Sequence, residues 1–225
     1  MDPERIKRKE VAFFGRITAG ITHEIKNVLA IIQQSSGLME DVLEVTEDSA
    51  FAHKDKFIKS IDRIRRQIQR GIDITNCLNW FAHSPDHTPV SLDLNEIAQQ
   101  MVLLASRFAR FKNVALETSP SDPPIVITSD PVSLVMALFE SIEILLEAID
   151  AEGRITLSPQ KIQNRCVLGI GYENAILAKE DLAEQISSTE RWASLQQTMT
   201  YLGGGAKTLG PAPEILLYLP ESINS

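Results

Sequence analysis

Residues 11–47 hold no proline, and their apolar side chains recur in alternating steps of four and three. The series runs Ile17, Ile21, Glu24, Val28, Ile31, Ser35, Leu38, Val42, Val45. It is a heptad seam of about four repeats with two polar members, Glu24 and Ser35. A flanking set (Ile25, Leu29, Ile32, Met39 and Leu43) makes the apolar face wider than a two-stranded coiled coil needs. A short polar break follows at Asp48 and Ser49. A second run then places Phe57, Ile61, Ile64, Ile68, Thr75 and Leu78 at helical spacing, with Ile58 and Ile72 beside it. So short a break implies antiparallel neighbours. Two helices alone cannot enclose this much apolar surface. The pattern therefore predicts a helical hairpin that pairs with a second copy of itself, a homodimer built on a four-helix bundle.

The segment His83-Ser84-Pro85-Asp86-His87-Thr88-Pro89 reads as a linker, because its two prolines end a helix and start extended chain. The pattern then changes. Helices are predicted over Leu94–Phe108, Pro131–Ala151 and Leu182–Leu202. Pro131 stands at a first turn, with Asp130 as its N-cap. Strands are predicted at Val114–Glu117, Ile125–Thr128, Ile155–Leu157, Cys166–Ile170 and Ile215–Leu219. Helices segregated against a mixed sheet make an α+β sandwich. The predicted division is 1–88 for the hairpin and 89–225 for the sandwich. Trp80-Phe81 reads as a core anchor at the hairpin's end, and Tyr172 and Trp192 as packing residues.

The net charge of -8 is carried entirely by the second half: residues 1–88 hold 13 basic and 13 acidic side chains, residues 89–225 hold 9 and 17. That excludes a general nucleic-acid surface and makes the second half a poor electrostatic host for a polyphosphate. No stretch is apolar enough for a membrane span, the charged start has no signal-peptide character, and Cys77 and Cys166 lack C-x-x-C spacing. The expected location is the reducing cytoplasm.

One segment carries chemistry. His23 lies one residue off the seam, with Ala19, Gly20, Lys26 and Asn27 three and four residues away. Those neighbours are small or polar and leave an imidazole open to a docking protein. Imidazole is a usable nucleophile near neutral pH. Glu24 is placed to orient the ring or take its proton, Lys26 to meet phosphoryl oxygens, and Asn27 to position a water or incoming group. The run His23-Glu24-Ile25-Lys26-Asn27 in a heptad helix resembles the H-box of two-component histidine kinases. The hairpin then matches that family's dimerisation and phosphoacceptor domain, and the second half its GHKL/Bergerat-like ATPase domain. The Glu-x-x-Asn arrangement is associated in that family with phosphatase action on the partner.

Under the same resemblance, the nucleotide-binding pattern is altered. The two asparagine positions of the family's N-box are Glu143 and Glu147. The expected Asp-x-Gly-x-Gly is represented by Gly169 and Gly171 without the aspartate that reads adenine. No glycine occurs between Ala175 and Tyr201 to form a lid over phosphates. Gly203-Gly204-Gly205 reads as a helix stop and turn. The resemblance therefore implies a histidine phosphotransferase. Its homodimer would carry phosphate on His23 between response-regulator receiver aspartates, with no bound cofactor and Mg²⁺ supplied by the receiver. Arg63, Arg66 and Arg70 share a helix face that could meet a receiver's acidic pocket. The rival expectations are an active kinase using ATP, with Glu147 on Mg²⁺, and a non-catalytic dimeric scaffold. His83 and His87 are four apart, but Pro85 breaks the helix between them, so no metal site is expected.

Overall fold

The computed structural model describes residues 3–44, 54–83, 89–149, 152–163, 165–173, 182–209 and 214–222. Val45, the break at Asp48 and Ser49, Pro85 and His87 of the linker, and Asp150 and Ala151 all lie outside the described residues, as do Asn174 and Ala175. The chain divides into two compact units, Thr18–Trp80 on one hand and Met1–Ile17 with Phe81–Ser225 on the other. The second unit thus takes in the start of the first helix and the end of the second, which the boundary at 88 had assigned to the hairpin.

The unit Thr18–Trp80 consists of most of α1 (Pro3–Glu44) and α2 (Lys54–His83). Most of the seam faces inward: Ile21, Val28 and Val42 are buried, as are its polar members Glu24 and Ser35, whereas Leu38 is exposed. To the buried side α2 contributes Ser60, Ile74 and Cys77 rather than the expected Ile61, Ile68 and Thr75. Glu24 Oε1 accepts a hydrogen bond from Arg70 Nη2 at 2.5 Å, an ion pair that ties the two helices together. Gly71 of α2 faces Val28, where a Cβ would make an ordinary contact with Val28 Cγ1 at 3.4 Å. The flanking apolar set is less well covered, with Leu29 59% and Ile72 47% exposed; Ile61 and Ile68 of the second run are also exposed.

The second unit is an α+β sandwich. Strand β1 (Val90–Asp93) pairs antiparallel with β3 (Val126–Ser129). Strands β2 (Val114–Thr118), β4 (Gly153–Ile162), β5 (Arg165–Glu173), β6 (Gly205–Leu209) and β7 (Glu214–Leu219) form a sheet in the order β2-β4-β5-β7-β6. Only β2 and β4 pair in parallel. Helices α3 (Leu94–Arg110), α4 (Pro131–Ala148) and α6 (Glu190–Tyr201) pack on the face lined by Val114, Ile155, Leu157, Leu168, Ile170 and Leu217. Asp93 caps α3 and Asp130 caps α4, each side chain accepting from the helix's first N–H groups. Phe13, Phe81, Phe108 and Phe139 join in edge-on pairs, Phe13 to Phe81 at 5.5 Å and Phe108 to Phe139 at 5.0 Å. Phe81 is an anchor as expected, 1% exposed.

Three local details differ from the expected elements. The helix Leu182–Leu202 is two helices, α5 (Leu182–Ser187) and α6, because the Thr189 hydroxyl accepts from Trp192 N and starts a new helix. Helix α4 stops at Ala148, where Ile149 turns extended (ψ 133°) and buries its side chain. Strand β6 was not anticipated. No described helix is long and apolar enough to cross a membrane.

Candidate functional site

His23 and Glu24 are adjacent in α1, so they point about 100° apart. The helix therefore presents the imidazole to solvent and buries the carboxylate between helices. Thr22, Lys26 and Asn27 are exposed beside the ring, and Gly20 is buried one turn before it. The hydrogen bond that reaches the imidazole comes from Asn27, whose amide nitrogen Nδ2 lies 3.2 Å from Nδ1. This is an i,i+4 contact along one helix face. An amide can present either end: Nδ2 donating to Nδ1 puts the ring proton on Nε2, whereas Oδ1 accepting from Nδ1–H leaves the Nε2 lone pair free. Glu24 is paired with Arg70 of α2. That pair also engages one of the three arginines that share a face, leaving Arg63 and Arg66 exposed.

In the other unit, Glu143 and Glu147 stand one turn apart on α4, and both meet arginines. Arg191 of α6 donates from Nη1 to Glu143 at 2.6 Å, and from Nη2 and Nε to the two oxygens of Glu147 at 2.7 and 3.1 Å. Arg16, from the first turns of α1, adds a bidentate bond to Glu143, its Nη1 at 3.0 Å. The Arg16 guanidinium also lies 5.1 Å from the Phe139 ring centre and 5.9 Å from that of Phe108. Burial, and after it the charge of Arg191, lower the Arg16 pKa. The group remains a cation at neutral pH. The result is a neutral cluster of two carboxylates and two guanidinium groups beside a cavity of about 170 Å³.

Gly169 and Gly171 are in the other layer. Both lie inside β5, opposite Ser158 and Thr156 of β4. A Cβ on Gly169 would sit 2.8 Å from Ser158 Oγ and 3.1 Å from Gln160 Nε2, so polar side chains of the sheet fill the space above it. The structure therefore groups Glu143 with Glu147, and His23 with Asn27, but does not bring the two glycines to the glutamates. Arg16 and Arg191 were missed as members of the cluster. Arg16 is 127 residues from Glu143 and Arg191 is 48, so no local pattern marks either contact. Among the described residues, no group of three or more His, Cys, Asp or Glu could hold a metal ion.

The chain matches no protein-family model. It is similar to the sensor histidine kinase ZraS of Salmonella typhi, 26% identical over 162 residues that make up 70% of this chain and 32% of that protein. ZraS of Salmonella typhimurium is 28% identical over 155 residues, 67% of this chain and 30% of that protein. The chain thus spans about a third of the length of the curated relatives it matches. Among solved structures, the catalytic domain of histidine kinase ThkA superposes with a TM-score of 0.51 at 14% identity, covering 61% of this chain and all of that domain. The shared fold is that of a histidine-kinase catalytic domain following a helical pair. By sequence the chain is similar to two-component sensor histidine kinases, and by fold to their catalytic domain.

Proposed function

We propose that the chain is a histidine phosphotransferase: it accepts a phosphoryl group from a receiver-domain aspartate onto His23 and returns it to another, without ATP. One observation carries this reading. The imidazole is exposed and held by Asn27, while the two carboxylates at the asparagine positions of a kinase are both engaged by arginines. Turning the Asn27 amide so that Oδ1 replaces Nδ2 as the partner of Nδ1–H frees the Nε2 lone pair, which forms the N–P bond as the acyl P–O bond breaks. The aspartate leaves as a carboxylate, so electrons balance without an added base. Lys26, one turn along, is placed to meet the phosphoryl oxygens, and exposed Arg63 and Arg66 to meet the receiver's acids.

The bundle belongs to the same proposal. Leu29, Leu38, Ile58, Ile61, Ile68 and Ile72 are 42–59% exposed on a hairpin of two helices, and clustered apolar exposure marks an interaction surface. A second copy would cover it as four helices.

The kinship with sensor histidine kinases favours a second reading, an ATP-dependent kinase. In that case a cation or phosphate must compete with Arg191 for Glu143 and Glu147. Incubation with a phosphorylated receiver domain and, separately, with labelled ATP separates the two. Acid-labile phosphate on His23 from the receiver alone supports phosphotransfer. Rapid labelling from ATP alone overturns it.

A further inference from the structure

The second unit is acidic, and several of its cations are held in ion pairs. Arg154 is paired with Glu117 at 3.2 Å, Lys161 with Glu221 at 3.6 Å, and Arg191 with Glu143 and Glu147. Two cations, Arg165 at the start of β5 and Lys207 on β6, have no carboxylate partner among the described residues. They line one groove at the edge of the sheet. The groove encloses about 450 Å³, with Tyr218, Leu219 and Pro220 on one side and the turn Gly203–Gly205 on the other.

The glycines shape this groove. Gly203 has φ +72°, a left-handed conformation that side chains rarely adopt. A Cβ on Gly204 would lie 2.1 Å from the Tyr218 carbonyl oxygen, so only glycine lets the turn close onto β7. The N–H groups of Gly203 and Gly204 are used within the turn, bonded to Thr200 and Met199 carbonyls. Ligand recognition therefore falls to side chains. Lys207 Nζ sits 5.5 Å from the centre of the Tyr218 ring, which holds that cation over the groove.

We propose that this groove binds a small organic phosphate monoester. A guanidinium fork and an ammonium together match a dianion, and a phosphate monoester carries about -1.5 to -2 at neutral pH. A carboxylate would leave one cation unmatched. Bare phosphate would leave most of the volume empty, whereas an apolar or flat body attached to it would rest on Tyr218, Leu219 and Pro220. The size falls in the range of small-molecule sites, roughly 300–1,000 Å³. Two cations lining one groove give it a positive local field within an acidic half.

The test is an NMR titration of the full chain with phenyl phosphate, inorganic phosphate and benzoate in turn. Phenyl phosphate should give saturable amide shifts at Arg165, Gly203–Lys207 and Tyr218, and should bind more tightly than either of the others. The double change Arg165→Ala with Lys207→Ala alters exposed positions and should leave the circular dichroism unchanged. It should weaken phenyl phosphate about tenfold or more. Three results would overturn the proposal: no saturation at concentrations on the order of millimolar; shifts centred instead on Lys56, Lys59 and Arg63; or equal affinity in the double variant. Benzoate binding as tightly as phenyl phosphate would refute the dianion requirement.

Discussion

Around His23 the polar side chains stay in water, whereas on α4 two carboxylates are held by two guanidinium groups. Both regions carry acids on a helix with arginines nearby, but their electrostatics differ. On α1 the carboxylate next in sequence to the histidine is drawn inward to Arg70, so it stiffens the hairpin. The imidazole on the adjoining face is left with one i,i+4 amide. On α4 the side chain of Glu143 is 11% exposed and is bonded by both Arg16 and Arg191. Such a cluster is neutral, satisfied and costly to open, because removing any member strands a partly dehydrated charge. The contrast separates a solvent-exposed imidazole from carboxylates engaged in holding helices together.

The sharpest way to break this comparison is His23→Ala. Phosphoryl acceptance from a phosphorylated receiver should fall on the order of a thousandfold, read as acid-labile phosphate on the chain. The urea midpoint should stay within about 0.5 kcal/mol of the parent, since the ring is exposed. Retained acceptance would move the reactive group elsewhere. The complementary change, Glu143→Gln, should do the reverse. Two guanidinium groups lose their shared carboxylate, and stability should drop by about 2 kcal/mol while acceptance by His23 persists. A cycle with Arg16→Gln should recover part of that loss, because the pair is coupled. If Glu143→Gln instead abolished receiver-dependent labelling without destabilising the fold, the α4 cluster would belong to the reaction. A smaller effect is expected for Asn27→Ala. The ring loses the partner that fixes its tautomer, and the transfer rate should fall about tenfold with unchanged receiver affinity.

These two regions also differ in how far the sequence exposes them. The His23–Asn27 contact and the seam of Ile21, Val28 and Val42 follow from helical spacing, a local rule that a string of residues carries whole. The Asp130 cap is equally local. The α4 cluster is not, because Arg16 reaches Glu143 only after the chain has folded back across the intervening helices and strands. Gly169 falls within the strand expected at Cys166–Ile170, and register with β4 and β7 fixes the neighbours of both Gly169 and Gly171, which no local pattern in the sequence marks. Strand β6 hides in Gly205–Leu209, whose mixed side chains lack alternation and whose pairing with β7 supplies the structure. The break between α5 and α6 depends on the Thr189 hydroxyl, a cap inside an otherwise continuous helical run.

The smallest effect tests how dry the hairpin interior is compared with the flank bearing His23. Cys77 of α2 is buried, and burial pushes its thiol from 9.0 up to about 11. The folded state therefore holds the thiol proton more tightly than the unfolded chain. Between these two values the unfolded chain ionises first and is favoured, so stability is constant below pH 9 and declines as pH rises toward 11. Cys166 is also shifted upward by burial and adds a decline of the same sign. Urea midpoints measured across the alkaline range should fall in the parent and fall less in Cys77→Ser. Alkylation by iodoacetamide at neutral pH should be slow until urea opens the chain. Rapid alkylation of folded Cys77 at a rate typical of an exposed thiol would show that water reaches the seam. The hairpin interior would then be as open as the surface around His23, and the distinction between a sealed seam and an available imidazole would fail.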